Sequence, residues 1–82
     1  MKSDNENMSK LKEFAASLAA MQVALFRYIR KEIHTSEEIL KIYKEEREKL
    51  GFPIKDELYT RLLHKAEQQD AETTLRGLIG DE

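Results

Sequence analysis

Basic side chains cluster near the end of the first long apolar segment, and they have the clearest potential for binding chemistry. Arg27, Lys31 and His34 are spaced four and three residues apart, and Arg30 lies beside them. On a helix this spacing places side chains on one side. Such a cluster can contact phosphate or an acidic partner, and cations in a last helical turn also complement the carbonyl end of the helix dipole. We predict that Arg27, Arg30 and Lys31 form a charged contact that flanks the main binding surface.

Catalytic chemistry has few candidates in this sequence. The chain has no cysteine, and it contains neither a glycine-rich phosphate loop nor a His-Glu-x-x-His pair. Its acidic pairs, Glu37-Glu38 and Glu45-Glu46, fall at predicted helix-surface positions. A carboxyl there lacks the burial or close charge partner that tunes a catalytic acid. We therefore predict a protein that is not an enzyme and uses no cofactor.

The two histidines are the only conventional nitrogen ligands for a metal ion. His34 and His64 lie thirty residues apart, so carboxylates would have to complete the set of ligands. Histidines at the boundary of an apolar helix face are more common than such a site. We predict no bound metal, and a metal-dependent enzyme is the last of three hypotheses.

The apolar residues of the first segment are the strongest signal in the chain. One row recurs at alternating steps of three and four residues, which is the spacing of a heptad seam. Its members are Met8, Leu11, Phe14, Leu18, Met21, Leu25 and Tyr28. A second row lies beside the first and consists of Ala15, Ala19, Gln22, Phe26, Ile29 and Ile33. The resulting apolar face is too wide for a helix that rests on one neighbour.

The rest of the sequence is also typical of helices. One proline, three glycines and a single valine leave few turn or strand signals. The pattern predicts an all-α fold of three helices, at about residues 7–33, 36–50 and 53–76. These form one helical domain over 7–76, between a flexible leader (1–6) and a flexible tail (77–82). The longest apolar stretch, thirteen residues from Phe14 to Phe26, is shorter than the ~20 residues that a membrane span requires.

Local signals place the boundaries of the second and third helices. Thr35 followed three residues later by Glu38 has the spacing of a capping box. Gly51 suits the position just after a helix end, and Pro53 suits the first turn of the next helix. The apolar pattern of the third helix is interrupted at residues 67–70 and resumes at Ala71.

These features predict a small cytoplasmic interaction module. The first helix is much longer than the second, so part of its apolar face stays uncovered in one chain and favours a partner. We expect a compact bundle or an intertwined homodimer, acting as a regulator, inhibitor or adaptor that binds itself or another protein. The predicted interface consists of Leu11, Phe14, Leu18, Met21, Leu25 and Phe26.

DNA binding is the alternative. The junction at Gly51 can be interpreted as a helix-turn-helix, with the third helix as the recognition element. That helix opens with Asp56 and Glu57, which would face phosphates, and the chain carries a net charge of −2. Both features disfavour nucleic acid.

Overall fold

The chain folds into four helices in the computed structural model, which describes the backbone of residues 2–80 and the side chains of residues 7–78. The helices are α1 (Lys2–Ile29), α2 (Ser36–Lys49), α3 (Asp56–Ala66) and α4 (Ala71–Gly80). No strand occurs within residues 2–80. The all-α prediction is confirmed, whereas the predicted number of three helices is wrong.

The first helix is displaced relative to its predicted range of 7–33. It begins at Lys2 and ends at Ile29. The N–H of Glu32 donates to the carbonyl of Arg27, and the N–H of Lys31 donates to that of Tyr28. These two bonds make a Schellman motif, whose left-handed residue is Lys31 with φ of 64°. The chain turns here and buries Ile33 in the core.

The second helix agrees closely with its sequence signals. The Thr35 side chain accepts from the N–H of Glu38 and the Glu38 carboxylate accepts from the N–H of Thr35, so the predicted capping box is confirmed. At the other end, Gly51 has φ of 88°. It completes a second Schellman motif, in which the Phe52 N–H donates to the carbonyl of Arg47.

The predicted helix over 53–76 is two helices. Pro53 lies outside the helix, because α3 begins only at Asp56. A turn follows Ala66, and Asp70 then accepts a hydrogen bond from the N–H of Thr73 at 2.8 Å. This is the N-cap arrangement, so Asp70 starts a new helix. The interruption in the apolar pattern at 67–70 is therefore a helix boundary.

The helices pack around an antiparallel α1–α2 pair. Ile39 near the start of α2 lies in one cluster with Ala24, and Tyr43, one turn later, lies in a second cluster with Ala20. The residue numbers of the contacting residues increase along α2 as they decrease along α1, so the two helices are antiparallel. Helix α4 covers the first cluster through Ala71 and Leu75, and the connector before α3 contributes Ile54 to the second.

The predictions of a flexible leader (1–6) and a flexible tail (77–82) stay predictions. Residues 1, 81 and 82 lie outside the described residues. The backbone of residues 2–6 continues α1, and that of residues 77–80 continues α4.

Candidate interaction surface on the first helix

Helix α1 packs against the rest of the chain through its smallest side chains. Ala16, Ala20 and Ala24, one turn apart, are buried. Because alanine carries no bulk beyond Cβ, the backbone of α2 can approach closely along this line. Met21 and Tyr28 lie at one edge of it, with Met21 in the core around Ala20 and Tyr28 packed against the core around Ala24. The inner face of α1 is therefore an alanine face.

The large apolar residues of α1 point the other way. Most of them expose between 38% and 68% of their surface: Met8, Leu11, Phe14, Leu18, Phe26 and Ile29. At 100° per residue, Leu18 lies about 160° around the helix from Ala20. The bulky apolar face and the packing face are thus nearly opposite, which reverses the usual arrangement of an amphipathic helix.

The centre of this exposed face follows an uninterrupted heptad spacing. Seven positions recur at steps of three and four, and we call them the outer stripe: Met8, Leu11, Ala15, Leu18, Gln22, Leu25 and Ile29. In heptad notation the leucines occupy every d position, and the other four residues occupy the a positions. Phe14 and Phe26 flank the stripe at a g and an e position.

The outer stripe differs from the seam predicted from the sequence at every second position. It contains Ala15, Gln22 and Ile29 where the predicted seam has Phe14, Met21 and Tyr28. Phe14, Met21 and Tyr28 were predicted as seam residues, but Met21 is buried in the chain's own core and Tyr28 packs against it. Of the predicted interface residues, Leu11, Phe14, Leu18 and Phe26 are exposed. Leu25 is half-buried, because its inner edge packs on the first core cluster.

The exposed area is large for so small a chain. If a large apolar side chain offers roughly 200 Å², the six exposed side chains of α1 present on the order of 600 Å². This is at the upper end of the ~300–600 Å² found for the largest apolar patch of a typical monomer. It also approaches the ~800 Å² that each partner contributes to a stable interface.

The short length of α2 explains why the first turns of α1 remain uncovered. Helix α1 is about 42 Å long and α2 about 21 Å. Near the end of α2, Arg47 contacts Glu13 of α1, so the turns of α1 before Glu13 extend past the last turn of α2. Met8 and Leu11 lie on this extension.

The predicted basic contact does not lie on one helix face. Arg27 is in the last turn of α1, where it complements the helix dipole. Arg30 and Lys31 follow the helix end, and the positive φ of Lys31 turns the chain away from the helical path. The Arg30 guanidinium lies 3.9 Å from the carboxylate of Glu32, and both side chains are exposed. His34 lies outside both helices and donates its backbone N–H to Glu38.

Two buried polar groups that the sequence analysis missed hold the packing together. Arg47 donates to the carbonyl of Phe52, to the hydroxyl of Tyr43 and to the carboxylate of Glu13. Arg47 lies between two acidic residues, Glu46 and Glu48, a pattern typical of a solvated helix face. The only signal for burial was its spacing of four residues from Tyr43 and eight from Ile39.

A buried hydroxyl pair forms the second group. Ser36 donates to the carbonyl of Gln69 at 2.9 Å, and Thr74 donates to the Ser36 hydroxyl at 2.7 Å. The pair ties the start of α2 to the turn between α3 and α4. Every buried side-chain nitrogen and oxygen among the described residues has a partner.

A cleft of about 400 Å³ is lined by residues of α2, α3 and α4. Its lining includes the apolar residues Leu40, Leu62 and Leu78 and the basic residues Lys65 and Arg76. Arg76 forms an ion pair with Glu72 at 2.6 Å.

Within the described part of the chain, no group of three or more histidine or acidic side chains is placed to hold a metal ion. No helix over residues 2–80 combines the length and the hydropathy of a membrane span. No protein-family model, curated protein or solved structure matches this chain. A functional proposal therefore depends on the surface itself.

Proposed function

We propose that this protein is a non-catalytic interaction module that pairs with a second copy of itself through the outer stripe of α1. The observation that supports this proposal is the exposure of large apolar side chains on the face of α1 opposite its alanine face. Burying that face in a dimer removes apolar surface from water, which is the main driving force of association.

The spacing of the outer stripe favours a helix as the partner. A strict repeat of seven residues keeps the same face of a helix directed at one neighbour that winds around it. A groove for an extended peptide or a small ligand would not require such a repeat. A second copy of α1 carries the same stripe, so each copy can cover the other in a symmetric interface.

The electrostatics of the stripe are consistent with self-association. None of its seven positions carries a charge, so pairing two copies brings no like charges into the centre of the interface. At the flanking positions between Met8 and Ile29 only Lys12 is charged, and Glu13 lies on the opposite side of α1, where it contacts Arg47.

The test is the mass of the protein in solution. Sedimentation or light scattering is expected to give about twice the 9.6 kDa of one chain. Leu18→Asp places a charge at the centre of the stripe and should weaken association at least about a hundredfold, because an unpaired buried charge is strongly unfavourable. Leu18 suits this test better than Leu25, which also contributes to the core.

Leu58→Asp is the matched control. Leu58 on α3 is 40% exposed and Leu18 is 38% exposed, so the two substitutions perturb similar environments in the single chain. The control variant should keep the dimeric mass, and both variants should keep the helical circular dichroism of the wild type. A wild-type mass of one chain at millimolar concentration would refute self-association.

A further inference from the structure

We infer that the two copies of α1 pair in parallel and in register, and that Gln22 sets this orientation. The inference rests on the proposed self-association and specifies its geometry. It starts from one feature of the outer stripe. Among the seven a and d positions from Met8 to Ile29, Gln22 is the only polar residue, and its side chain is exposed in the single chain.

The orientation of the pair decides what Gln22 meets. In a parallel, in-register pair, a positions face a positions and d positions face d positions, so Gln22 meets Gln22 of the second copy. An amide carries both donors and an acceptor, and two facing amides can therefore bond to each other. A single polar residue at an a position is an attested device for specifying register and oligomeric state.

An antiparallel pair leaves the same amide without a partner. Reversing one helix exchanges the order of a and d positions, so Gln22 then faces a leucine of the second copy. Both amides lose hydrogen bonds to water and gain none, which costs more than the net value of a formed bond. The parallel arrangement avoids this penalty at both copies.

The flanks of the stripe also fit the parallel arrangement. In a parallel pair each g residue packs near the e residue five positions later in the second copy. Phe14, which is exposed in the single chain, then lies against Ala19 of the second copy. The small a residue Ala15 leaves room that the Phe14 ring fills, and such pairing of large with small side chains gives a dense interface.

Charged residues at the flanks do not compete with Gln22 for this role. Of the e and g positions between Met8 and Ile29, only Lys12 is charged. Interhelical ion pairs, which set the orientation of many coiled coils, are therefore missing from this stretch. The polar a position is the remaining determinant.

Single cysteines test the orientation directly, because the chain has none of its own. Leu11→Cys and Ile29→Cys place thiols near the two ends of the stripe, at a d and an a position. In a parallel pair each thiol faces its own counterpart and forms a disulfide, which requires Cα atoms within about 7 Å. In the antiparallel register that sets Gln22 against Leu18, residue 11 lies beside residue 29, and each thiol is about 27 Å from its own counterpart.

Each variant is oxidised alone, and an equimolar mixture is oxidised as well, at a concentration where light scattering gives a dimer. Because chains exchange between dimers, disulfides between residue 11 and residue 29 appear in the mixture only if the pair is antiparallel. We expect homodisulfides in excess by at least about tenfold, as the loss of one buried hydrogen bond implies. A dimer with predominantly mixed disulfides would overturn the parallel arrangement and leave self-association standing, whereas a monomeric mass would overturn both.

Gln22→Leu tests the role of the amide. With leucine at position 22, no polar group distinguishes the orientations, so the mixed disulfide should increase at least about tenfold while the dimer persists. Gln22→Asn is the conservative variant and should retain the homodisulfide pattern. If Gln22→Leu leaves the parallel pattern unchanged, Gln22 does not set the orientation.

Discussion

The Arg47 guanidinium donates from Nη2 to the Glu13 carboxylate at 3.2 Å and so joins the last turn of α2 to the middle of α1. The two partners are buried very differently: the Arg47 side chain is 8% exposed and that of Glu13 is 58% exposed. Arg47 also bonds to Phe52 and Tyr43. The guanidinium therefore connects α1, α2 and the segment that follows α2, and the ion pair with Glu13 is its most exposed contact.

Arg47→Ala should lower the free energy of unfolding by about 2–4 kcal/mol, because it removes buried packing and leaves the carbonyl of Phe52 and the hydroxyl of Tyr43 without a donor. Glu13→Ala should cost less than about 1 kcal/mol, since an exposed carboxylate contributes little to an ion pair. Urea denaturation of both variants measures the difference. Equal losses would mean that the ion pair, and not the buried bonds, provides the stability.

Ser36 and Thr74 offer a second test of buried polar contacts. Ser36→Ala should destabilise the fold by about 1–3 kcal/mol, because the carbonyl of Gln69 and the hydroxyl of Thr74 both lose a partner. Thr74→Val should cost less, since Ser36 keeps its bond to Gln69. The double variant should cost less than the sum of the single losses, as expected for residues in one network. Additive losses would indicate that the hydroxyls act independently.

The two Schellman motifs predict opposite effects for substitutions at their left-handed residues. Lys31→Gly should stabilise the fold by about 0.5–1 kcal/mol, because glycine adopts a positive φ without the steric cost that lysine has at 64°. Gly51→Ala should destabilise it by about 1 kcal/mol, although nothing lies within 4 Å of the added Cβ. Thermal unfolding compares both variants with the wild type. A destabilised Lys31→Gly would mean that the lysine side chain itself contributes to the fold.

The helix caps make stability depend on pH. Hydrogen bonds from the backbone N–H groups of His34 and Thr35 lower the pKa of Glu38, and hydrogen bonds from Thr73 lower the pKa of Asp70. A carboxyl whose pKa is lower in the folded state stabilises the fold above the unfolded pKa, and this contribution is lost as the pH falls through the folded value. The loss should begin below about pH 4.3 for Glu38 and about pH 3.9 for Asp70.

Glu38→Gln and Asp70→Asn isolate these contributions from those of other carboxyls. Each variant should be less stable than the wild type at pH 7, and the difference should shrink towards pH 3, because protons then bind these carboxyls more tightly in the unfolded wild type than in the folded one. Denaturation at both pH values measures the change. A difference that stays constant between pH 7 and pH 3 would contradict the assignment of the lowered pKa to these groups.

Local sequence was sufficient for the helical class, for the capping box at Thr35 and for the stop at Gly51. Each of these depends on interactions within a few residues: a hydroxyl that accepts from an N–H three residues on, or a glycine that can take a positive φ. The exposed face of α1 was also predictable in outline, because the number of large apolar residues on that helix is a property of the sequence.

Tertiary packing decided the rest. Nothing local ends α1 at Ile29, where a lysine takes the position that glycine usually occupies, but burying Ile33 against Ala24 and Ile39 requires the chain to turn there. The turn before Asp70 is held by a residue distant in sequence, since the carbonyl of Gln69 accepts from the Ser36 hydroxyl. The sequence pattern allowed more than one face of α1 to be the buried face. Packing against α2 selected the alanine face, because small side chains allow the closest approach between the two helices. The large apolar side chains of α1 therefore remain on the outside.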